Sequence, residues 1–332
     1  MKKFKQVLTV LALVALVLTS SLLPSTAKAN EAKESLKVAI IQLVSHPSLD
    51  LIHQGIEEGL AAEGYQVGEN LEIDYQNAEG DMNLLSTIAQ QVVSSEPDYI
   101  FAITTPVAQA LQNETKEIPI IMAGITDPES VNLVESLDQP GGNISGISDK
   151  IPHDVQFKLL QEILPDAKKV GLIYTTSEDN SEAEMNEAKQ AAESLGLEVQ
   201  LEGISSALDM QMVAENLASQ VDAIFVGSDN TIASAFESLL DATDKQGIPV
   251  FTSVEPMVAQ GALAGEAMSQ KEIGLQAAKF LKQLVDSGQD ISQTPVAFID
   301  KLETVLNQDT ADRLKLEIPK EILDQSRPAA KE

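Results

Sequence analysis

At 332 residues the chain is long enough for two domains of ordinary size, and its 43% apolar share is that of a folded protein. A net charge of −29 repels nucleic acid and anionic lipid, and the absence of cysteine excludes disulfides, thiolate metal sites and a thiol nucleophile. Aromatics are scarce at 4%, with no Trp, so the core has to be built from Leu, Ile, Val and Ala.

The N-terminus stands apart. Lys2, Lys3 and Lys5 precede the apolar run "VLTVLALVALVL" from Val7 to Leu18, and small residues follow, ending in "AKA" at Ala27 to Ala29. A positive region, an apolar stretch and an A-x-A site make residues 1–29 a signal peptide, so the remainder is expected to be exported. A retained anchor is the other reading, because the apolar run can be extended to Leu23. Removing this lysine-bearing segment leaves about −33 on the remainder. A solvated, aggregation-resistant surface accounts for that charge without any ligand.

After the linker "NEAKES" strands and helices alternate. "LKVAIIQLV" (36–44) reads as a strand, 46–64 as an amphipathic helix ending at Gly64, and "LEIDYQ" (71–76) as a strand. A helix over 81–95, a strand over 98–104, a helix from Pro106 and a strand over 118–125 follow. Such alternation implies βαβ units and a parallel sheet.

The series then restarts. "KKVGLIYTTSEDN" (168–180) echoes "LKVAIIQLVSHPS" (36–48), "VDAIFVGSDNTIASAF" (221–236) echoes "PDYIFAITTPVAQAL" (97–111), and "GIPVFTSVEP" (247–256) echoes "EIPIIMAGITDP" (117–128). A repeat of this length means two α/β domains of one topology, not a solenoid. The fold class is therefore two similar doubly wound parallel-sheet lobes joined by a hinge. Lobe 1 is expected over 30–149, with part of 270–320 returning to it, lobe 2 over 150–269, and a C-terminal tail over 321–332 whose end, "SRPAAKE", reads as frayed. "TPVAFIDKLETVLN" offers one further strand.

Ligands of parallel α/β sheets bind outside the carboxyl ends of the strands. Six corners lie there, carrying Ser45 and His46, Thr104 and Thr105, Thr126 and Asp127, Ser177 and Asn180, Asp229 and Asn230, and Glu255. Free backbone N–H groups at the following helix starts favour an anion, although the same residue types are also ordinary helix caps. Hydroxyl and amide donors at Thr104 and Thr105 suit a carboxylate, and the acids Asp229 and Glu255 suit an ammonium. Together they match a zwitterion such as an amino acid. Three histidines without metal spacing, no G-x-S-x-G and no P-loop leave no catalytic, metal or cofactor motif, so the chain is read as a non-enzyme without a cofactor.

The quoted segments carry a resemblance. The export signal, the duplicated lobes and three crossings resemble the substrate-binding proteins of ABC importers with the type I periplasmic-binding-protein fold. "NAEGD" (77–81), "TPVAQAL" (105–111), "ITDP" (125–128), "PGGNISGISD" (140–149), "SEDNS" (177–181), "DNTIASAF" (229–236) and "GIPVF" (247–251) resemble the subfamily for tryptophan and related aromatic amino acids. The likeness runs from about Leu36 to Leu306. It implies a monomer that closes its lobes on a small amino acid ligand and docks on an ABC permease driven by an ATPase. It further implies Thr104, Thr105 and Thr126 for the ligand carboxylate, Asp229 or Glu255 for its ammonium, and Ser177 and Asn180 for the second wall. A ligand-sensing subunit for a membrane receptor or sensor kinase is the alternative. Members from single-membrane bacteria carry a lipid-anchored Cys after the signal, which this chain lacks, so the periplasm or the outer face of the cytoplasmic membrane is the expected location.

Overall fold

The computed structural model describes residues 35–299 and 301–329. The expected signal segment lies outside the described residues, as do residues 330–332. No described helix is long and apolar enough to cross a membrane.

Two sheets organise the chain. The first is built by β1 (Leu36–Gln42), β2 (Leu71–Asn77), β3 (Tyr99–Ile103), β4 (Ile120–Ile125) and β5 (Ile144–Ser148). The second is built by β6 (Lys169–Thr175), β7 (Glu198–Ile204), β8 (Ala223–Val226), β9 (Val250–Thr252) and β10 (Ala264–Ala267). Near the C-terminus β11 (Ala297–Phe298) rejoins the first sheet, and β12 (Glu303–Leu306) and β13 (Arg327–Pro328) rejoin the second. The orders are β11-β5-β4-β3-β1-β2 and β13-β12-β10-β9-β8-β6-β7. Only β12, against β10, pairs antiparallel. The shared cores β2-β1-β3-β4-β5 and β7-β6-β8-β9-β10 have one connectivity, which is the duplication seen in the sequence.

The central strands β1, β3, β4, β6 and β8 are apolar at nearly every position because both faces are covered by helices, whereas the edge strands β2 and β7 are more polar and partly exposed. In β1, Val38 and Ile40 enter one core while Ala39 and Ile41 enter the core on the opposite face. In β8, Ala223 and Phe225 face one way, and Ile224 and Val226 the other. The side-chain period of two along a strand sorts a continuous apolar run into two layers.

The chain passes between the lobes three times. After β5 the helix His153–Ile163 buries Phe157 and Leu160 with Val170 and Phe225 of the second sheet. After β10 the helix Gln270–Ser287 returns to the first lobe and packs on the helix Pro47–Ala62. That contact is close because glycines line it. A Cβ on Gly274 would stand 2.1 Å from the Ile52 carbonyl oxygen, and one on Gly55 2.2 Å from the Lys271 carbonyl oxygen. After β11 the chain crosses again to β12, so "TPVAFIDKLETVLN" is two short strands in different sheets rather than one.

The C-terminal segment differs from the expected frayed tail. The helix Lys320–Gln325 buries Ile322 in the second lobe, and β13 pairs with β12. The Arg327 guanidinium donates from Nη1 and Nη2 to both oxygens of Glu255, at 2.5 and 2.6 Å, and from Nε to Glu303 at 2.5 Å. Those partners lie 72 and 24 residues away, which no local pattern reveals. Two-sided pairing of this kind exceeds an ordinary surface ion pair. Arg327→Ala is expected to cost about 1–2 kcal/mol, read from the midpoint of chemical denaturation.

Candidate functional site

In each sheet the strand order reverses at the strand that comes first in sequence. β1 lies between β2 and β3, and β6 between β7 and β8. Loops leave such a point in opposite directions and open a crevice at the carboxyl ends of the strands. The two crevices face each other across a cavity lined by residues of both lobes.

The first-lobe wall carries His46, Leu49 and Ile52 after β1, Thr104 and Thr105 after β3, and Thr126 after β4. The second wall carries Asn180 after β6, Ser228, Asp229 and Asn230 after β8, and Val254 and Met257 after β9. Asp149 and Gln270, from the first two crossings, complete the lining. Gln109 Nε2 donates to Asp179 Oδ2 at 2.9 Å, so the lobes also touch outside the cavity.

Two helices present their starts to this space without a side-chain cap. His46 precedes Pro47–Ala62 and Thr104 precedes Thr105–Glu114, and neither side chain bonds a helix N–H. Other helices carry the usual device, as at Asp81, Ser269 and Asn307, whose side chains accept from the first turn, while the helices after Pro152, Glu178 and Val254 also start without one. The uncapped N–H groups and the positive helix ends are suited to an anion. Thr104 also sits at φ 87° and ψ 156°, a region that a β-branched residue enters only under strain. Such strain gathers at ligand sites, and here it accompanies a hydroxyl kept out of the helix.

The buried polar atoms without partners concentrate here. Both ring nitrogens of His46, Oγ1 of Thr104, Oδ1 of Asp149 and Oδ1 of Asn180 lack a hydrogen bond in the protein, and all four residues line the cavity. Buried polar groups are normally satisfied, so these atoms are addressed to something the cavity takes in. Burial lowers the His46 pKa to about 4 against the opposing Asp50 carboxylate and Asn230 side chain, so near pH 7 its neutral ring offers one donor and one acceptor. Asn180 spends its Nδ2 on the Ser228 carbonyl at 2.9 Å, which leaves Oδ1 as an acceptor. Asp149 retains some exposed surface as a residue, but its Oδ1 is sealed from solvent. Burial pushes the Asp149 carboxyl above its ordinary range, and the side chains of Thr126 and Ser228 oppose this by hydrogen bonding.

Of the residues expected from the sequence, His46, Thr104, Thr105, Thr126, Asn180, Asp229 and Asn230 stand on the cavity wall. Ser45, Asp127, Ser177 and Glu255 do not line it. Ser45 is exposed and donates to Asp50, Asp127 is held by Lys150 at 2.5 Å, and Ser177 is exposed. Glu255 is engaged by Arg327.

The expected role of Asp229 meets a different obstacle. Its oxygens accept from the Thr175 N–H at 2.6 Å, the Thr175 hydroxyl at 2.8 Å and the Ile232 N–H at 2.8 Å. Asp229 therefore ties β6 to the start of the helix Asn230–Ser234. Burial, with the neighbouring Glu178 carboxylate, raises its pKa to about 7. Glu178 accepts from the backbone N–H and Nδ2 of Asn230 and from the N–H and hydroxyl of Thr231, at 2.6 to 3.2 Å. Thr231 thus donates to Glu178 through both its N–H and its hydroxyl. Asp149 was absent from the sequence-based corners, although it immediately follows β5 and so occupies one.

The family model for ABC transporter substrate binding proteins matches residues 37–329. The chain is 37% identical over 290 residues to a tyrosine-binding protein of Clostridioides difficile, covering 87% of this chain and 84% of the relative. Among solved structures, an ABC domain in complex with L-Trp from Streptococcus pneumonia superposes with a TM-score of 0.86 at 38% identity, over 89% of this chain and 99% of that one. The ligand-free, open structure of a substrate binding protein with adhesive properties from Clostridium difficile gives 0.70 at 33% identity, over 90% and 100%. The fold is that of the type I periplasmic binding proteins, and the function is solute binding without catalysis. The chain belongs to the ABC transporter substrate binding protein family.

Proposed function

We propose that this protein is the extracytoplasmic receptor of an ABC importer. It takes tyrosine, tryptophan or a related aromatic amino acid between its lobes and presents it to a membrane permease driven by an ATPase. The observation that carries this reading is the set of unpartnered buried atoms on the cavity wall, next to two uncapped helix starts. Thr104, Thr105 and the helix starts supply donors for a carboxylate, and Asp149 and Asn180 supply acceptors for an ammonium. Leu49, Ile52, Ala233, Val254 and Met257 add an apolar surface for the side chain. The names of the relatives, one tyrosine-binding and one solved with L-Trp, favour an aromatic side chain. The protein acts as a monomer, without a cofactor, after export directed by residues 1–29.

Equilibrium dialysis of the purified full chain against each of the twenty amino acids tests the proposal. Saturable binding of tyrosine or tryptophan, with none of aspartate or lysine, is expected. Binding to no amino acid overturns it.

A further inference from the structure

The acid that meets the ligand is open to a sharper assignment, which rests on the amino acid reading above. Four acids of the second lobe and its approach are already engaged. Asp229 is spent on Thr175 and Ile232, Glu178 on Asn230 and Thr231, Glu255 on Arg327, and Glu184 accepts the Ser228 N–H at 2.8 Å behind the wall. Asp127, in the first lobe, is held by Lys150. Asp149 alone among these six acids both lines the cavity and keeps a carboxyl oxygen sealed from solvent without a partner.

Its position adds a second point. Asp149 follows the last residue of β5 and opens the first crossing, and its N–H donates to the Ile125 carbonyl of the first lobe at 3.3 Å. The side chains facing its carboxyl are Thr126 from the first lobe and Ser228 from the second. The next residue, Lys150, joins Asp127 of the first lobe to Glu187 of the second, at 2.5 and 2.9 Å. The acceptor therefore stands at the first crossing, where the two lobes meet at the cavity.

We infer that Asp149 receives the amino group of the ligand, and that Asp229 has only a structural role. An ammonium at Oδ1, with Asn180 Oδ1 as second acceptor, gives both unpartnered atoms a donor at once. It also places a charge at a carboxyl faced by Thr126 of the first lobe and Ser228 of the second, which both reach it only when the lobes are together. The cation thereby favours the closed arrangement over the open one.

The test measures binding of tyrosine, tryptophan and the des-amino compound 3-(4-hydroxyphenyl)propanoate, by calorimetry or by competition. It is run on the full wild-type chain, Asp149→Asn and Asp229→Asn. Asp149→Asn is expected to weaken the amino acids tenfold or more while leaving the des-amino compound within threefold or tighter, so that discrimination for the amino group collapses. Asp229→Asn is expected to lower the unfolding midpoint and to keep that discrimination. Unchanged tyrosine and tryptophan affinity in Asp149→Asn overturns the inference alone, as does equal loss of the amino acids and the des-amino compound. Collapse of discrimination in Asp229→Asn instead transfers the role to Asp229. A wild-type chain that binds no amino acid overturns the parent reading and this inference with it.

Discussion

Gly274→Ala is expected to destabilise the protein by about 2–3 kcal/mol, although alanine is the better helix former by about 1 kcal/mol. The added methyl would stand 2.1 Å from the Ile52 carbonyl oxygen and 2.6 Å from the Ile56 nitrogen. Both are main-chain atoms, so no side chain can swing aside. Either the helices Pro47–Ala62 and Gln270–Ser287 separate along their length, or the backbone strains locally. Separation loosens the core that Ile52, Ile56, Ile273 and Ala277 share. Gly142 is the control, because nothing lies within 4 Å of its added Cβ and it has no positive φ. Gly142→Ala is expected to stay within about 0.5 kcal/mol of wild type. Equal urea midpoints for the two variants would show that the helices yield freely.

Stability is also expected to fall as pH rises from about 6.5 to about 8, because below that range the buried neutral imidazoles of His46 and His153, both lowered to about 4, gain stability with pH and offset the effect of two raised carboxyls. Burial pushes Glu184 up to about 8, with further upward pressure from Asp149, Asp229 and Glu187, and in spite of the Ser228 N–H. Asp229 rises to about 7. Between the ordinary carboxyl range and these values the folded chain keeps protons that the unfolded chain has released. The unfolded state then binds fewer protons, so unfolding becomes easier with each pH step, by about 1.4 kcal/mol per unit for each such proton. For Glu184 the full span from the ordinary carboxyl value to about 8 amounts to a loss on the order of 5 kcal/mol, largely complete by about pH 8. Glu184→Gln carries a permanent neutral group that still accepts from Ser228. It should match wild type near pH 5, exceed it at pH 8, and show a shallower profile in denaturant titrations between those limits. Superimposable profiles would remove Glu184 as the source.

The sequence made the duplicated sheets legible because both faces of the central strands are buried, which leaves continuous apolar runs bounded by polar corners. The corners themselves were legible because a parallel sheet puts its ligand at the carboxyl ends of its strands. Which side chain at a corner remains free was not legible. Asp229 and Asp149 are both acids placed just beyond a strand. What separates them is Thr175, 54 residues from Asp229, whose amide and hydroxyl take up the Asp229 carboxylate. Glu255 is withdrawn in the same way by Arg327, from a segment that reads as a tail. Competition for hydrogen bonds across long sequence separations decides which of these carboxyls is already engaged, and it leaves no local pattern.

The threefold passage of the chain between its lobes also governs when the lobes can form. The first sheet lacks its edge strand β11, and the helix Pro47–Ala62 lacks its glycine-lined partner, until residues 270–298 have been made. Nearly the whole polypeptide must therefore be present before the first core closes. Contacts of such long range slow folding, because loop closure has to precede the contacts that reward it. An emerging N-terminal half stays incomplete and unable to seal itself, and so remains threadable until synthesis is almost over.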